Sequence, residues 1–445
     1  MTECSPSKKL FQDDFFPNVK SRKIEIDFNG GNVSSDGGVL LLKQVDRKIK
    51  LLRRASKILD KYDMRQRGKT EHGTYGMLVQ RVFGIGCGHE DLNDHNELRH
   101  DILWQTAAEE DGDLASAPTL CRFENSATRS MCMELSNLLT DVFIESFEEE
   151  PEEIFLDFDN TDDRIHGKQE GRFFHGYYDE YCFLPLYVFC GEKLVAVLLQ
   201  PSSEDGAKHS GAVLKMIERK LRAKWPSVKI AYRGDSGFAR RRHLYWCERN
   251  SVDYVVGMAR NETLEGKLEP LLAKAEKEYA RTGAGVRKYT DFGYSAGSWH
   301  GRERKVVAKA EYNEHGRNPR FVLTTLDGDP RDIYEGKFCP RGDMENRVKE
   351  QKLGLFSDRT SAHKWWTNQF RMLLSSLAYV LFERMRNLAL KGTKLAYAQV
   401  GTIRLKLIKI GAVIRRNTRK VHFSLSSSFP YKNLFWRIAE VFAPG

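Results

Sequence analysis

Acidic residues stand at three points of the sequence where a carboxylate could bind a metal ion. In IFLDFDN, residues 154–160, apolar and polar side chains alternate, so Asp157 and Asp159 share one face of a predicted strand. Asp235 follows a second predicted strand, at the start of a Gly-Phe turn, and Glu345 lies in a predicted helix. Hard cations such as Mg²⁺ prefer carboxylate oxygens. A carboxylate inside an apolar strand is costly unless it is paired or bound to a metal.

Three such carboxylates indicate phosphoryl-transfer chemistry. Two divalent ions about 3.5–4 Å apart can activate a water or a 3′-hydroxyl and stabilise the leaving oxygen of a phosphodiester. The sequence contains no Ser/His/Asp or Cys/His arrangement and no P-loop that would compete with this interpretation. Each residue taken alone has an ordinary alternative. Asp235 could cap the following helix, and Glu345 could belong to an exposed ladder of salt bridges.

The four aspartates of LDFDNTDD are not equivalent. Asp159 lies closest to the end of its strand, where Asp235 of a neighbouring strand should also arrive, so Asp159 is the predicted first ligand. Asp157 lies one pleat earlier, and we expect it to support Asp159 without touching the metal. Asp162 and Asp163 follow the strand and are expected in a turn or a cap.

The segment around Glu345 also contains a row of cations. Arg341, Glu345, Lys349 and Lys352 are spaced so that they lie on one face of a helix. A glutamate among three cations is typical of a solvated salt-bridge ladder. The same pattern also suits a metal ligand whose neighbours bind phosphate groups.

The charge distribution favours a polyanionic partner. The net charge is +10, and the segment from Asp358 to Gly445 contains 16 Lys and Arg residues against three acidic ones. Basic surfaces of this kind most often bind nucleic acid. No apolar run of about 18 residues predicts a membrane span, and no signal core is evident, so we expect a cytoplasmic protein without a membrane partner. Eight scattered cysteines without a CxxC pair argue against a zinc site or a disulfide framework.

The elements that must position these residues follow from the periodicity of the apolar side chains. Helix-period patterns dominate the first third of the chain, and strand patterns begin near residue 153. The order strand, strand, strand, helix, strand, helix, strand predicts an α/β core with a sheet covered on both faces. The predicted divisions are a mostly helical region 1–150, a first core part 151–261, a β-rich insertion 262–337, a second core part with the Glu345 helix 338–392, and a basic region 393–445.

The sequence resembles the DDE transposases of bacterial insertion sequences. One group of this family has a Tyr-Arg-Glu-Lys signature, and Phe338, Arg341, Glu345 and Lys352 have its spacing, with Phe in place of Tyr. The segments LDFDNTDD, LPLYVFCG and YRGDSGFAR are further similarities, and the resemblance covers residues 20–440. It implies an RNase H-like mixed sheet with flanking helices, a mostly helical N-terminal domain and a β-rich insertion before the catalytic helix.

The resemblance also implies a metal site. Asp159, through Asp159-Asn160-Thr161, matches the Asp-x-Thr element of the family's first strand. Asp159, Asp235 and Glu345 would then be the catalytic residues and the ligands of two Mg²⁺ ions, for which Mn²⁺ would substitute.

DNA contacts are implied for a second set of residues. Arg341 and Lys352 would hold phosphates near the scissile bond, and Lys349 on the same helical face is a third candidate. Relatives with a β-rich insertion cut DNA through a hairpin intermediate and hold a flipped base with an aromatic residue from that insertion. Trp299 is the candidate here, and the alternative is a tryptophan packed within the sheet.

The function implied by the resemblance is transposition by a cut-and-paste route. Such a protein binds terminal inverted repeats in double-stranded DNA, here through the region 1–150, and catalyses metal-dependent strand cleavage and strand transfer into target DNA. A homodimer in the synaptic complex and a place at the bacterial nucleoid are expected. Two alternatives remain: a nuclease on the same RNase H-like core, and a domesticated DNA-binding protein that does not transpose.

Overall fold

The computed structural model describes residues 19–443 except residues 23, 25, 67 and 69, so the first 18 residues of the predicted region 1–150 lie outside the described residues. The described helices are α1 (Val39–Ile49), α2 (Leu51–Tyr62), α3 (Thr74–Cys87), α4 (His95–Leu98), α5 (Ile102–Ala108), α6 (Ala117–Asn125), α7 (Arg129–Ile144), α8 (Ser210–Lys224), α9 (Arg241–Arg249), α10 (Glu262–Thr282), α11 (Gly342–Lys349), α12 (Trp365–Arg384), α13 (Val400–Ile403) and α14 (Lys432–Val441). The described strands are β1 (Asn32–Ser34), β2 (Glu153–Asn160), β3 (Asp163–Arg164), β4 (Phe173–His175), β5 (Glu180–Phe183), β6 (Leu186–Cys190), β7 (Lys193–Leu198), β8 (Lys229–Gly234), β9 (Val252–Met258), β10 (Val286–Tyr294), β11 (Arg304–Asn313), β12 (Gly316–Arg317), β13 (Arg320–Thr324), β14 (Ala412–Arg416) and β15 (Val421–Leu425).

The largest sheet contains the predicted core. Its strands lie in the order β10-β11-β13-β9-β8-β2-β6-β7, with the short β12 paired to β11. β2, β6 and β7 form an antiparallel meander, whereas β8 and β9 run parallel to β2. Along the chain the core elements follow the order β2, β6, β7, α8, β8, α9, β9. This order confirms the predicted α/β fold with an RNase H-like mixed sheet.

Alternation along β2 determines which of its side chains enter the core. Ile154, Leu156 and Phe158 are almost completely buried and belong to a cluster formed with α8, α9 and α10. Fully burying one side chain of this size stabilises the fold by about 1.5–3 kcal/mol. Asp157 and Asp159 therefore point to the opposite face of the sheet, and α11 packs against β2.

The insertion does not form a sheet of its own. β13 pairs antiparallel with β9, so β13, β11 and β10 continue the core sheet beyond its parallel strands. α10 packs against β10 and β11. The pairing satisfies the backbone groups of β9, which would otherwise be an exposed apolar edge.

The N-terminal helices share a hydrophobic core with the second half of the chain. α12 packs against α3, α6, α7 and β7. Its Phe370 and Leu377 lie in the same buried cluster as Phe83 and Trp104 of α3 and α5. β1, β14 and β15 form a three-stranded antiparallel sheet that joins the two ends of the described chain. Within the described residues, no helix is long and apolar enough to cross a membrane.

A third, small sheet lies between β2 and β6 in the sequence, with the strand order β3-β5-β4. β4 and β5 form a hairpin whose turn contains Tyr177 and Tyr178. The turn is tight, since Asp179 adopts a left-handed conformation with φ of 53°. Tyr177 is 85% exposed.

Candidate active site

A buried ion pair fixes the strand that presents the first aspartate. Asp157 on β2 stands opposite Arg233 on β8 in the parallel register. The guanidinium donates to both carboxylate oxygens, with a distance of 2.8 Å from Nη2 to Oδ2. A third donation, from Nη1, goes to the carbonyl of Lys337, which precedes α11. Burial raises the pKa of Asp157, and the contact with Arg233 opposes this rise. Both oxygens of the Asp157 carboxylate are thus paired with Arg233, in agreement with the prediction that Asp157 supports Asp159.

Asp159 stands two residues further along β2, at the end of the strand. Its Oδ2 accepts a hydrogen bond from Nη1 of Arg341 at 3.2 Å, and its side chain is 17% exposed. The pKa of Asp159 is raised to about 6: burial is the largest cause, Arg341 opposes the rise, and the carboxylates of Asp235 and Glu345 add to it. The carboxylate therefore lies in a position that favours a cation.

Asp235 leaves the sheet beside Asp159. The parallel register of β2 and β8 ends with Phe158 opposite Gly234, so the next residue of each strand is one of the two aspartates. Oδ1 of Asp235 accepts a hydrogen bond from the backbone N–H of Gly237 at 2.8 Å. Asp235 thus caps the turn Ser236–Phe238, which is the alternative role predicted for it. The cap uses only one of its two carboxylate oxygens.

Close packing holds the loop that contains Asp235. A Cβ atom at Gly257 of β9 would lie 2.9 Å from the backbone nitrogen of Ser236. Only glycine at this position lets β9 pass so near the end of β8. The absence of a side chain therefore helps to place Asp235 next to β2.

Glu345 reaches the same place from α11. Its side chain is 65% exposed, and its Oε1 lies 3.6 Å from Nη2 of Arg341, one turn earlier. The Arg341 guanidinium therefore bridges Glu345 and Asp159. The predicted salt-bridge ladder is therefore present in the pair of Arg341 and Glu345.

A cavity of about 350 Å³ opens between β2 and α11, and Asp159, Glu345, Lys349 and Lys352 all line it. The ammonium of Lys352 donates to Oγ1 of Thr161 at 3.0 Å and to the carbonyl of Asp162. Lys352 thus holds the loop that follows Asp159, whereas Lys349 is exposed.

Carboxylates are the ligands that a hard divalent cation prefers, and Asp159 among them is buried with a raised pKa. Within the described residues, no group of three His, Cys, Asp or Glu side chains is close enough together to hold a metal ion. Arg341 instead supplies the positive charge between Asp159 and Glu345. The side chains of Asp159, Asp235 and Glu345 are therefore not gathered around one point in this structure.

Trp299 is not brought to this cavity. It is 8% exposed and lies in the cluster that packs on the other face of β2, with Ile154 and Leu156. Its ring makes an edge contact with Tyr294 and lies under the Arg304 guanidinium. In this structure it occupies the predicted alternative, a tryptophan packed against the sheet.

One aromatic residue near the carboxylates was not predicted. Tyr178 lies in the turn of the β4–β5 hairpin. Burial raises the pKa of Tyr178, and the carboxylates of Asp162 and Asp159 contribute to the rise. The only sequence signal is the aromatic run FFHGYYDEY, and such a run is also typical of a buried strand.

We expect Asp159→Asn to stabilise the folded protein above about pH 6. Between the ordinary value of 3.8 and the folded pKa of about 6, the folded state binds more protons than the unfolded state, so stability falls as pH rises through this window. Each pKa unit corresponds to about 1.4 kcal/mol, which limits the gain to about 3 kcal/mol. Urea unfolding across the window measures it.

The matched control for that experiment is Asp162→Asn, which changes a more exposed aspartate three residues away. The control should show no comparable pH-dependent gain. If Asp159→Asn is less stable than the parent protein at every pH above the window, the buried carboxylate is not the unfavourable group that its surroundings indicate.

The chain is similar to a protein family and to a solved structure. A family model described as transposase DDE domain group 1 matches residues 16–444. Among solved structures, the piggyBac transposase synaptic complex with hairpin DNA is similar over 84% of this chain and 80% of that chain, with 12% sequence identity and a TM-score of 0.41. A comparison with curated proteins found no significant match.

Proposed function

The chain belongs to the DDE transposases of group 1, and from this premise we propose that it cleaves DNA at the ends of a mobile element and joins the freed 3′-ends to target DNA. This proposal is supported by where Asp159, Asp235 and Glu345 lie in the fold. The first two leave adjacent parallel strands side by side, and the third lines the same cavity as Asp159.

These three residues would hold divalent cations, Mg²⁺ or Mn²⁺. When bound, such ions activate the attacking water or 3′-hydroxyl and stabilise the leaving oxygen. Asp159 is suited to this task, because burial and two neighbouring carboxylates make its negative charge costly without a cation. Asp157 would stay with Arg233 and keep β2 and β8 in register.

Arg341 has a second role in this proposal. Its guanidinium neutralises Asp159 and Glu345 here, and a phosphodiester is an equally good partner for a planar, bidentate donor. A cation among the carboxylates would release the guanidinium toward a DNA phosphate next to the scissile bond. Lys349, exposed at the same cavity, would contact a further phosphate.

A wider groove gives the DNA strand a path to the cavity. The groove has a volume of about 680 Å³ and shares Asp162 and Lys352 with the cavity. Arg164, Lys168 and Arg359 line it. Lys352 stands at the junction, where it would hold the loop after Asp159 and border the DNA backbone. A homodimer would place one such site at each of the two element ends.

The test is a cleavage and joining assay with purified protein, Mg²⁺ or Mn²⁺, and a duplex that contains one end of the DNA bracketing the reading frame. We expect a cut at the element end and covalent joining of its 3′-end to a second, target duplex. A duplex from inside the reading frame is the control and should remain uncut.

Two other outcomes would favour the alternatives. Cutting without any joining to target DNA would indicate a nuclease. Binding of the end duplex without cleavage under either metal would indicate a DNA-binding protein that does not transpose, and it would contradict the proposed function.

A further inference from the structure

A second basic surface lies outside the cavity and its groove. We call residues 412–425 the basic ribbon: strands β14 and β15 with the turn between them. Arg415, Arg416, Arg419 and Lys420 fall within six positions of this ribbon. None of them lines the cavity at Asp159 or the adjoining groove.

The turn of the basic ribbon is well ordered by its own hydrogen bonds. The backbone N–H of Asn417 donates to the carbonyl of Lys420 at 3.0 Å. The side-chain oxygen of Asn417 accepts from the backbone N–H groups of Arg419 and Lys420 at 2.9 and 3.0 Å. An asparagine that bonds forward in this way fixes a tight turn, so the cations at the tip stand on a rigid support.

The ribbon is also anchored to the N-terminal part of the molecule. Ala412 and Ile414 point into the main hydrophobic cluster and are buried. β1 pairs along the other edge of β14. At the tip, Nη1 of Arg416 donates to Oε1 of Gln105 in α5 at 2.9 Å. Packing, strand pairing and one hydrogen bond therefore hold the basic ribbon against the N-terminal part of the molecule.

Within the part of the chain that the structure describes, Arg415, Arg419 and Lys420 are exposed and form no ion pair. The sequence between Glu383 and Glu440 contains no acidic residue at all. On the insertion, by contrast, the exposed Arg317 is held by two glutamates.

We infer that the basic ribbon binds duplex DNA through Arg415, Arg419 and Lys420, at a place separate from the catalytic cavity. Unpaired cations on a rigid support release condensed counterions when they meet phosphates. A two-stranded ribbon also has the dimensions to enter the major groove of B-DNA. The inference rests on the proposed function only in taking DNA as the ligand.

The test compares the full-length chain with a variant that combines Arg415→Ala, Arg419→Ala and Lys420→Ala. Arg416 is retained because it anchors the tip to α5. Binding to fluorescent duplexes is followed by anisotropy over a range of salt concentrations, without divalent metal. Loss of three phosphate contacts should reduce the slope of log K against log salt by about 2 to 3 and weaken binding about ten- to a hundredfold at physiological salt.

Two controls separate a local contact from net charge and from misfolding. Replacing Lys274, Lys277 and Arg281, exposed cations of α10, with alanine removes the same charge from another surface and should leave the slope unchanged. A variant with Arg415→Lys and Arg419→Lys retains the charge of the ribbon and should retain most of the slope.

Two duplexes distinguish the kinds of DNA contact. Equal loss of binding on an element-end duplex and on a scrambled duplex of the same length means that the ribbon contacts the backbone of any DNA. Loss of binding on the element-end duplex alone means that the ribbon takes part in recognition of the element end. Either of these two results supports the inference. An alanine variant with the slope and affinity of the parent protein, or with no larger loss than the α10 control, would overturn it.

Failure of this inference can be told apart from failure of the proposed function. Binding is measured without the metal that cleavage needs, so the state of the carboxylate cavity does not enter the result. A protein that binds through the ribbon but never cuts DNA would contradict the proposed function alone. A protein that cuts and joins DNA, but whose DNA binding is not changed by the alanine substitutions in the ribbon, would contradict this inference alone.

Discussion

Glu345→Gln is expected to lower the rate of DNA-end cleavage by roughly three orders of magnitude or more, with DNA binding retained. A carboxylate that holds a divalent cation contributes several kcal/mol to the stabilisation of the transition state, and each 1.4 kcal/mol is tenfold in rate. The amide keeps the size of the side chain, which is 65% exposed, so the fold should not change. Single-turnover cleavage of an end duplex measures the effect, and Asp235→Asn should behave alike.

The matched control is Asp343→Asn, which neutralises the other exposed acidic residue at the start of α11. It should leave cleavage within a few-fold of the parent protein. Mn²⁺ should raise the Tm of the parent protein and of Asp343→Asn, since a ligand that binds only the folded state stabilises it. Glu345→Gln should lose most of this rise. If Asp343→Asn abolishes cleavage and Glu345→Gln does not, the assignment of the α11 ligand is wrong.

Arg233→Met is expected to destabilise the protein by about 3–5 kcal/mol, because it leaves the buried carboxylate of Asp157 without a partner. The side chains of this pair are 3% and 7% exposed, so water cannot replace the guanidinium. The substitution also removes the donor to the carbonyl of Lys337. Urea unfolding of the single variant measures the loss.

Two further variants decide whether the loss comes from the uncompensated charge. Combining Asp157→Leu with Arg233→Met removes both charges and should recover most of the stability. Arg317→Met breaks an exposed pair whose side chains are about half accessible, and it should cost less than about 1 kcal/mol. A small loss for Arg233→Met, similar to that of Arg317→Met, would mean that the buried pair does not stabilise the junction of β2 and β8.

The face of β2 on which Asp159 lies could be predicted, because side chains alternate between the two faces of a strand. Once Ile154, Leu156 and Phe158 enter the core, the aspartates between them must face the other way. The side-chain partners could not be predicted in this manner. Spacing places Arg341 and Lys352 on one helical face, but it does not reveal that Lys352 turns to Thr161 or that Arg341 bridges two carboxylates.

The partners of Trp299 could not be predicted from the sequence either. The segment around it alternates like a strand in the sequence, and such a pattern leaves open whether one aromatic ring faces solvent or a neighbouring strand. Its burial depends on Tyr294 and Arg304, which reach it through the pairing of β10 with β11. The pairing of β13 with β9 could not be predicted either, because alternation within one strand does not specify which strand it pairs with.

The small sheet β1-β14-β15 cannot form until the ribosome has synthesised β14. Asn32 pairs with Ile414, which is 382 residues further along the chain. At about 5–20 residues per second, a ribosome needs roughly 20 to 80 s to cover that distance. β1 therefore emerges long before its partner exists, and the helices after β1 cannot complete their shared core until α12 has been synthesised. A polypeptide released before residue 412 would lack both the partner of β1 and the residues of the basic ribbon.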